Sequence, residues 1–228
     1  MKKFFGLLVL LGCLIPFSVT AQNISPNSIE KAVLNEINTA RKNPQIYIGY
    51  LEEYRKLFKG NTVYYPNNVS LQTTEGVVAV DDAISYLKTL SKLEPYKFSD
   101  GLAKPARTQL TDLMENNSLG HFGKDGSNVP KRLARFGILP FIYAENIVYY
   151  VDLPKEIVMT MIIDDGIASR GHRKNLFSRS FRMVGIAYGK GKENEGLCVT
   201  VFADFFRELK LPNLNKTKNA KPTLNALS

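Results

Sequence analysis

The chain has 228 residues, with 30 Lys and Arg against 21 Asp and Glu, two His, two Cys and no Trp, for a formal net charge of +9. Once a leader carrying Cys13 is removed a single cysteine remains, so no intramolecular disulfide can form and stability must come from a buried core, which a chain of this size can build. The excess positive charge does not form an interleaved basic and aromatic face, which excludes nucleic acid as the expected partner.

Met1-Lys2-Lys3 and the run FFGLLVLLGCLIPFSVTA read as an export signal: a basic start, an apolar stretch broken by Pro16, and Val19-Thr20-Ala21 as a small-residue cleavage site. The apolar stretch is short for a membrane span. The expected mature chain starts at Gln22, carries a net charge of +7 without Lys2 and Lys3, has no transmembrane segment, and is secreted or periplasmic. The minor alternative is a lipoprotein anchored through Cys13, because Leu10-Leu11-Gly12-Cys13 resembles a lipobox; against it, Leu14-Ile15-Pro16-Phe17 stays apolar.

Asn27 can cap a helix over 28–42, with Glu30 three residues on and Ile29, Val33, Ile37 and Ala40 along one face. Asn43-Pro44 ends it, and Tyr47, Tyr50, Leu51 and Tyr54 keep helical spacing for a second helix. A polar loop is expected around 60–70. A long helix should begin near Thr74, aligning Val77, Val80, Ile84, Leu87 and Leu90. Another should begin around 101–105, aligning Leu102, Ala106, Leu110 and Leu113, and end before Leu119. Pro130 opens and Gly137 closes a short helix. Residues 141–150, rich in Ile, Tyr and Val, read as a strand. Asp152 is expected to cap a helix reaching Asp165, and strands over 182–188 and 197–205 follow, joined by a 189–196 turn. Helices first and strands late indicate an α+β fold, one domain over 27–207. Cys198, in the apolar run 197–202, reads as a buried thiol because no basic partner adjoins it. Residues 208–228 read as a basic, disordered tail.

The two histidines, His121 and His172, each follow a glycine in a polar segment, HFGKDGS and RGHRKN. Between them stand Glu145, a lone carboxylate in an apolar strand, and the pair Asp164-Asp165 at a helix end. A buried carboxylate needs a counter-charge or a cation, and negative charge is unfavourable at a helix C-terminus. Arg170, Arg173 and Lys174 are candidate counter-charges; a metal ion is the other solution. Two imidazoles with two or three carboxylates form a metal-type or acid–base set.

Four blocks in order carry a family resemblance: LNEINTAR at 34–41, HFGKDGS at 121–127, AENI at 144–147, and IDDG through RGHRKN at 163–175. Over about 32–206 the chain resembles the CAP superfamily of cysteine-rich secretory proteins, insect venom antigens and plant pathogenesis-related proteins, and most of all its disulfide-poor bacterial branch. The resemblance implies an α–β–α sandwich with a small antiparallel central sheet flanked by helices, and a cleft holding two histidines and two acids. Carried over by position, these are His121, Glu145, Asp165 and His172, with Asp164 competing for the acid's place. Animal and plant members usually have glutamate there with a tryptophan beside it; this chain has aspartate and no tryptophan.

The leading expectation is therefore a secreted protein whose cleft binds an extracellular ligand (a glycan, lipid, peptide or protein) with help from a divalent cation such as zinc held by His121, Glu145, Asp165 and His172. The first alternative is a metal-dependent hydrolase of peptides or envelope polymers using the same four residues, with Glu145 as base. The second is a structural interaction domain without catalysis. Ser127 and Ser169 lie near the histidines in sequence, but no spacing marks either as a nucleophile. Phe122, Phe141, Tyr143, Tyr149 and Tyr150 are candidates for an aromatic rim, with core packing as their competing role.

Overall fold

The computed structural model describes residues 27–209 apart from Asn67, Asn117 and Glu193. The export signal, the Cys13 alternative and the tail beyond Leu209 lie outside the described residues. The first half runs α1 (Ser28–Lys42), α2 (Pro44–Arg55), β1 (Phe58–Lys59), β2 (Thr62–Tyr64), β3 (Ser70–Gln72), α3 (Val77–Thr89), β4 (Lys97–Phe98) and α4 (Asp100–Asn116). The second runs α5 (Val129–Ala134), β5 (Gly137–Ile138), β6 (Tyr143–Tyr149), α6 (Pro154–Ile163), α7 (Gly171–Leu176), β7 (Met183–Lys190), β8 (Gly196–Ala203) and β9 (Arg207–Glu208).

The central sheet has the order β4-β7-β8-β6. The β7–β8 and β6–β8 pairs are antiparallel, as expected, but β4 runs parallel to β7 and makes the sheet mixed. Alternation along the strands builds two cores. Val148, Ile186, Cys198 and Phe202 pack with α1, α2, α3, α6 and α7; Ile147, Ala187, Val199 and Val201 pack with Leu102, Ala106 and Leu110 of α4 and Leu133 of α5. The result is the α–β–α sandwich. Every residue of β8 is buried, because helices cover both of its faces. Cys198 sits fully buried, and burial pushes its thiol well above the usual range, in keeping with a packing role.

Local signals place the helices well. Asn27 and Glu30 form the expected capping box at α1, and Glu30 also takes an ion pair from Arg107 of α4 and the backbone N–H of Tyr188 in β7. Four expectations are corrected. The 60–70 region is not a plain loop, since β1, β2 and β3 form a small antiparallel sheet whose strands are too short to show periodicity. Helix α3 starts at Val77 rather than Thr74, because Gly76 takes φ 68°, a left-handed backbone. Asp152 does not cap α6: its carboxylate accepts from the Tyr188 hydroxyl and pairs with Lys190. Helix α6 ends at Ile163, with Asp164 at φ 54° as its left-handed cap, so Asp164 and Asp165 lie in the turn beyond it. In addition, β9 pairs with β5 and carries the ladder through Arg207 and Glu208. No helix among the described residues is long and apolar enough to cross a membrane.

Candidate functional site

The cleft opens along β6, between the two helical layers. On one side, the loop after α4 brings His121 over the strand. Gln109, fully buried in α4, donates to the Gly120 carbonyl, and the Gly120 N–H donates to the Tyr149 hydroxyl. The loop is thus pinned to helix and strand at once. His121 Nδ1 donates to Glu145 Oε1 at 2.9 Å, since a carboxylate only accepts; in the neutral ring Nε2 then carries the lone pair. The answer to the buried charge of Glu145 is Arg132 of α5. Its Nη2 donates to both carboxylate oxygens, at 2.9 and 2.7 Å, while Nη1 donates to the carbonyls of His121 and Ser127. Both side chains of this ion pair are essentially out of solvent.

The opposite side is built by the α6–α7 turn. Asp164 Oδ1 accepts from His172 Nδ1 at 2.7 Å, and its other oxygen accepts from the His172 backbone N–H at 2.8 Å. His172 stands in the first turn of α7, a short helix where the sequence pattern shows only a polar segment. Asn146, next to Glu145 in β6, ties the halves together: its amide donates to the His172 carbonyl, and its oxygen accepts from Asn175. The imidazole side chains remain 49% and 25% exposed while both carboxylates are 1% exposed. Ligands can therefore reach the rings but not the acids behind them.

His121, Glu145, Tyr149, Ser169 and His172 line a cleft of about 360 Å³. A groove of about 400 Å³ adjoins it through Ile147, Tyr149, Ile167 and His172, and extends over Tyr54, Phe58 and Leu71. Of the candidate rim residues, Tyr149 and Tyr150 line these spaces, whereas Phe122, Phe141 and Tyr143 do not. Ser127 is buried, which removes it as a nucleophile; Ser169 lies in the cleft wall.

The four residues carried over from the resemblance are not one ligand set. Asp165 lines the adjoining groove with His172, but its carboxylate is taken up elsewhere, accepting from the backbone N–H groups of Thr74 and Glu75, at 2.7 and 2.8 Å. Asp164 takes its place. Glu145 holds His121 and Arg132, with both oxygens accepting from the guanidinium, which leaves it neither a free ligand nor a free base. Among the described residues, no group of three or more His, Cys, Asp and Glu is arranged to hold a metal ion.

A family model described as CAP, the Cysteine-rich secretory protein family, matches residues 34–203. The chain belongs to this family. Uncharacterized protein YkwD of Bacillus subtilis strain 168 is 28% identical over 96 residues, 42% of this chain and 35% of that protein. The chain thus matches about a third of that relative's length. Among solved structures, the chain is similar to an outer surface protein from Borrelia burgdorferi, with a TM-score of 0.43 and 15% identity over 75% of this chain and 96% of that one. It is also similar to an extracellular SCP-domain protein from Bacillus anthracis str. Ames, with a TM-score of 0.40 and 19% identity over 57% and 38% of the two chains.

In this CAP chain the His172 side is latched to α3 and the segment before it. Glu75 pairs through both oxygens with Arg170 and accepts from the Gly166 N–H, while Asp82 pairs with Arg170 and Arg173. Arg170 and Arg173 are counter-charges, as expected, but for Glu75 and Asp82 rather than for the acids behind the histidines. The Arg170 hydrogen bonds and the Gly166 N–H hold the Glu75 carboxyl down, at about 2 against an ordinary 4.5. A depressed carboxyl stabilises the fold above its unfolded value and loses that contribution as pH falls from about 4.5 toward about 2. Thermal unfolding across this range should therefore show a weaker acid dependence in Glu75→Gln than in the parent protein.

Proposed function

We propose that the protein is exported and binds an extracellular ligand in the His121–His172 cleft, with a divalent cation, zinc by its chemistry, bridging ligand and protein. The observation that carries this reading is the matched pair of imidazoles. Each gives Nδ1–H to a buried carboxylate, which in the neutral ring leaves the lone pair on Nε2, and both residues line the cleft. A histidine whose second nitrogen is fixed by a carboxylate is oriented and made more basic for metal ligation. Two imidazoles fall short of the three or four protein ligands of zinc sites that catalyse or staple a fold. They suit a cation that completes its coordination with the ligand. Membership of the CAP family and the leader read from residues 1–21 support export.

Zinc titration by calorimetry tests this, using the exported protein beside His121→Ala/His172→Ala. Micromolar binding at neutral pH, weaker at mildly acidic pH and absent from the variant, is expected, because protons compete for the ligating nitrogens. Heat that is the same in the double variant would sink the cation part of the reading.

A further inference from the structure

The floor of the cleft is the free edge of the central sheet, and the hydrogen-bond phase across that sheet shows what the edge offers. Lys97 of β4 and Ser99 just after it donate to the carbonyls of Arg182 and Val184. Arg182, before β7, still gives its N–H to the Ala203 carbonyl, and from Val184 on the even-numbered residues of β7 turn their backbone polar groups toward the β4 side. Successive residues of a strand turn these groups to opposite sides. The odd residues of β7 therefore serve β8, Gly185 facing Val201 and Ala187 facing Val199. The even residues of β8 serve β6, Thr200 facing Asn146 and Cys198 facing Val148. The bond from Asp204 N–H to the Ile142 carbonyl, at 3.2 Å, keeps the same phase. It follows that Glu145, Ile147 and Tyr149 aim their N–H and C=O groups away from the sheet.

These three residues line the histidine cleft, and Ile147 through Val151 line the adjoining groove. Among the described residues, no hydrogen bond meets the outward backbone groups of Glu145, Ile147 and Tyr149; the alternation ends at Tyr150, with φ 63°, after which the Val151 N–H turns back to the Gly196 carbonyl. The chemistry selects the occupant. Donors and acceptors recurring at every second residue, about 6.6–6.8 Å apart, match another extended backbone. An acyl chain has no such groups, and sugar hydroxyls do not keep the repeat. On the groove side, Tyr54, Phe58, Leu71 and Ile163 form an apolar wall.

We propose that the ligand is an extended peptide segment that adds to the open edge of β6, pairing with Glu145, Ile147 and Tyr149 beside the two histidines and placing an apolar side chain in the groove. This rests on the reading of the histidine cleft as the ligand site and names the ligand class.

The probe is a library of end-capped hexapeptides presented to the exported protein, followed by an N-methyl scan of the peptide selected. Methylation at alternate amides should lower affinity at least about tenfold, and at the intervening amides less than about twofold, because only alternate N–H groups face the strand. In the same complex, the amides of Ile147 and Tyr149 should become protected from hydrogen exchange. A library that yields no binder above scrambled controls, a scan without alternation, or protection confined to other strands would overturn the proposal. The zinc titration keeps the two readings apart: peptide failure with histidine-dependent zinc binding intact sinks the peptide alone, and failure of both sinks the cleft.

Discussion

Arg132→Met should lower the melting temperature by roughly 6–20 °C, corresponding to about 3–5 kcal/mol, the usual effect of removing one partner of a buried ion pair in a chain of this size. The guanidinium is fully buried, serves both oxygens of Glu145 and binds two loop carbonyls, so its loss strands a carboxylate that water cannot reach. Replacing both residues, Arg132→Met with Glu145→Leu, should recover part of the loss, since no charge is then left unpaired. The double variant should still lose zinc binding, because His121 loses the acceptor at Nδ1 and the carbonyl contact that hold its ring. A thermal unfolding cycle over the four proteins measures the coupling. A single variant within about 1 kcal/mol of the parent, the range of an exposed pair, would show that Glu145 finds another partner.

Gly185→Ala should destabilise by about 3 kcal/mol or more, at or beyond the upper end for overpacking. A Cβ on Gly185 would lie 2.1 Å from the Leu102 carbonyl carbon, 2.2 Å from Ala103 N and 2.5 Å from Leu102 O. All three are backbone atoms of α4, which must move off the sheet to make room. Gly189→Ala on the same strand is the control. There the near atoms are the ends of Met114 and Leu110, so less than about 1.5 kcal/mol is expected. Urea unfolding midpoints compare the two. Because α4 leads into the loop that presents His121, Gly185→Ala should also weaken zinc binding, and Gly189→Ala should not. Equal effects of the two substitutions would refute the close approach of α4 to β7 as the element that sets the loop.

The sequence was most legible where the signal is local. The Asn27 capping box, the apolar stripes of α1, α3 and α4, and the dense β-formers of β6 and β8 need only neighbours within a few residues to be read. The family blocks then pointed to His121, Glu145 and His172. Asn146 lay inside a block already singled out, yet its task of tying α7 to β6 has no local mark. Arg132 was harder still: it stands among Lys131 and Arg135 in a short helix, and only tertiary contact distinguishes the buried cation from the exposed ones. The lone charge of Glu145 signalled that some cation must exist without saying which.

By itself, the sequence determined that two histidines and nearby acids are presented by an α+β domain, because periodicity, caps and polar loops act over short range. Only the tertiary structure decided which acid serves which group. Asp164 and Asp165 are adjacent and chemically identical, so no pattern of residue types separates them. The left-handed turn at Asp164 sends one carboxylate to His172 and the other to the amides of Thr74 and Glu75. That direction is set by packing between segments some 90 residues apart in the chain, which short-range propensities do not encode.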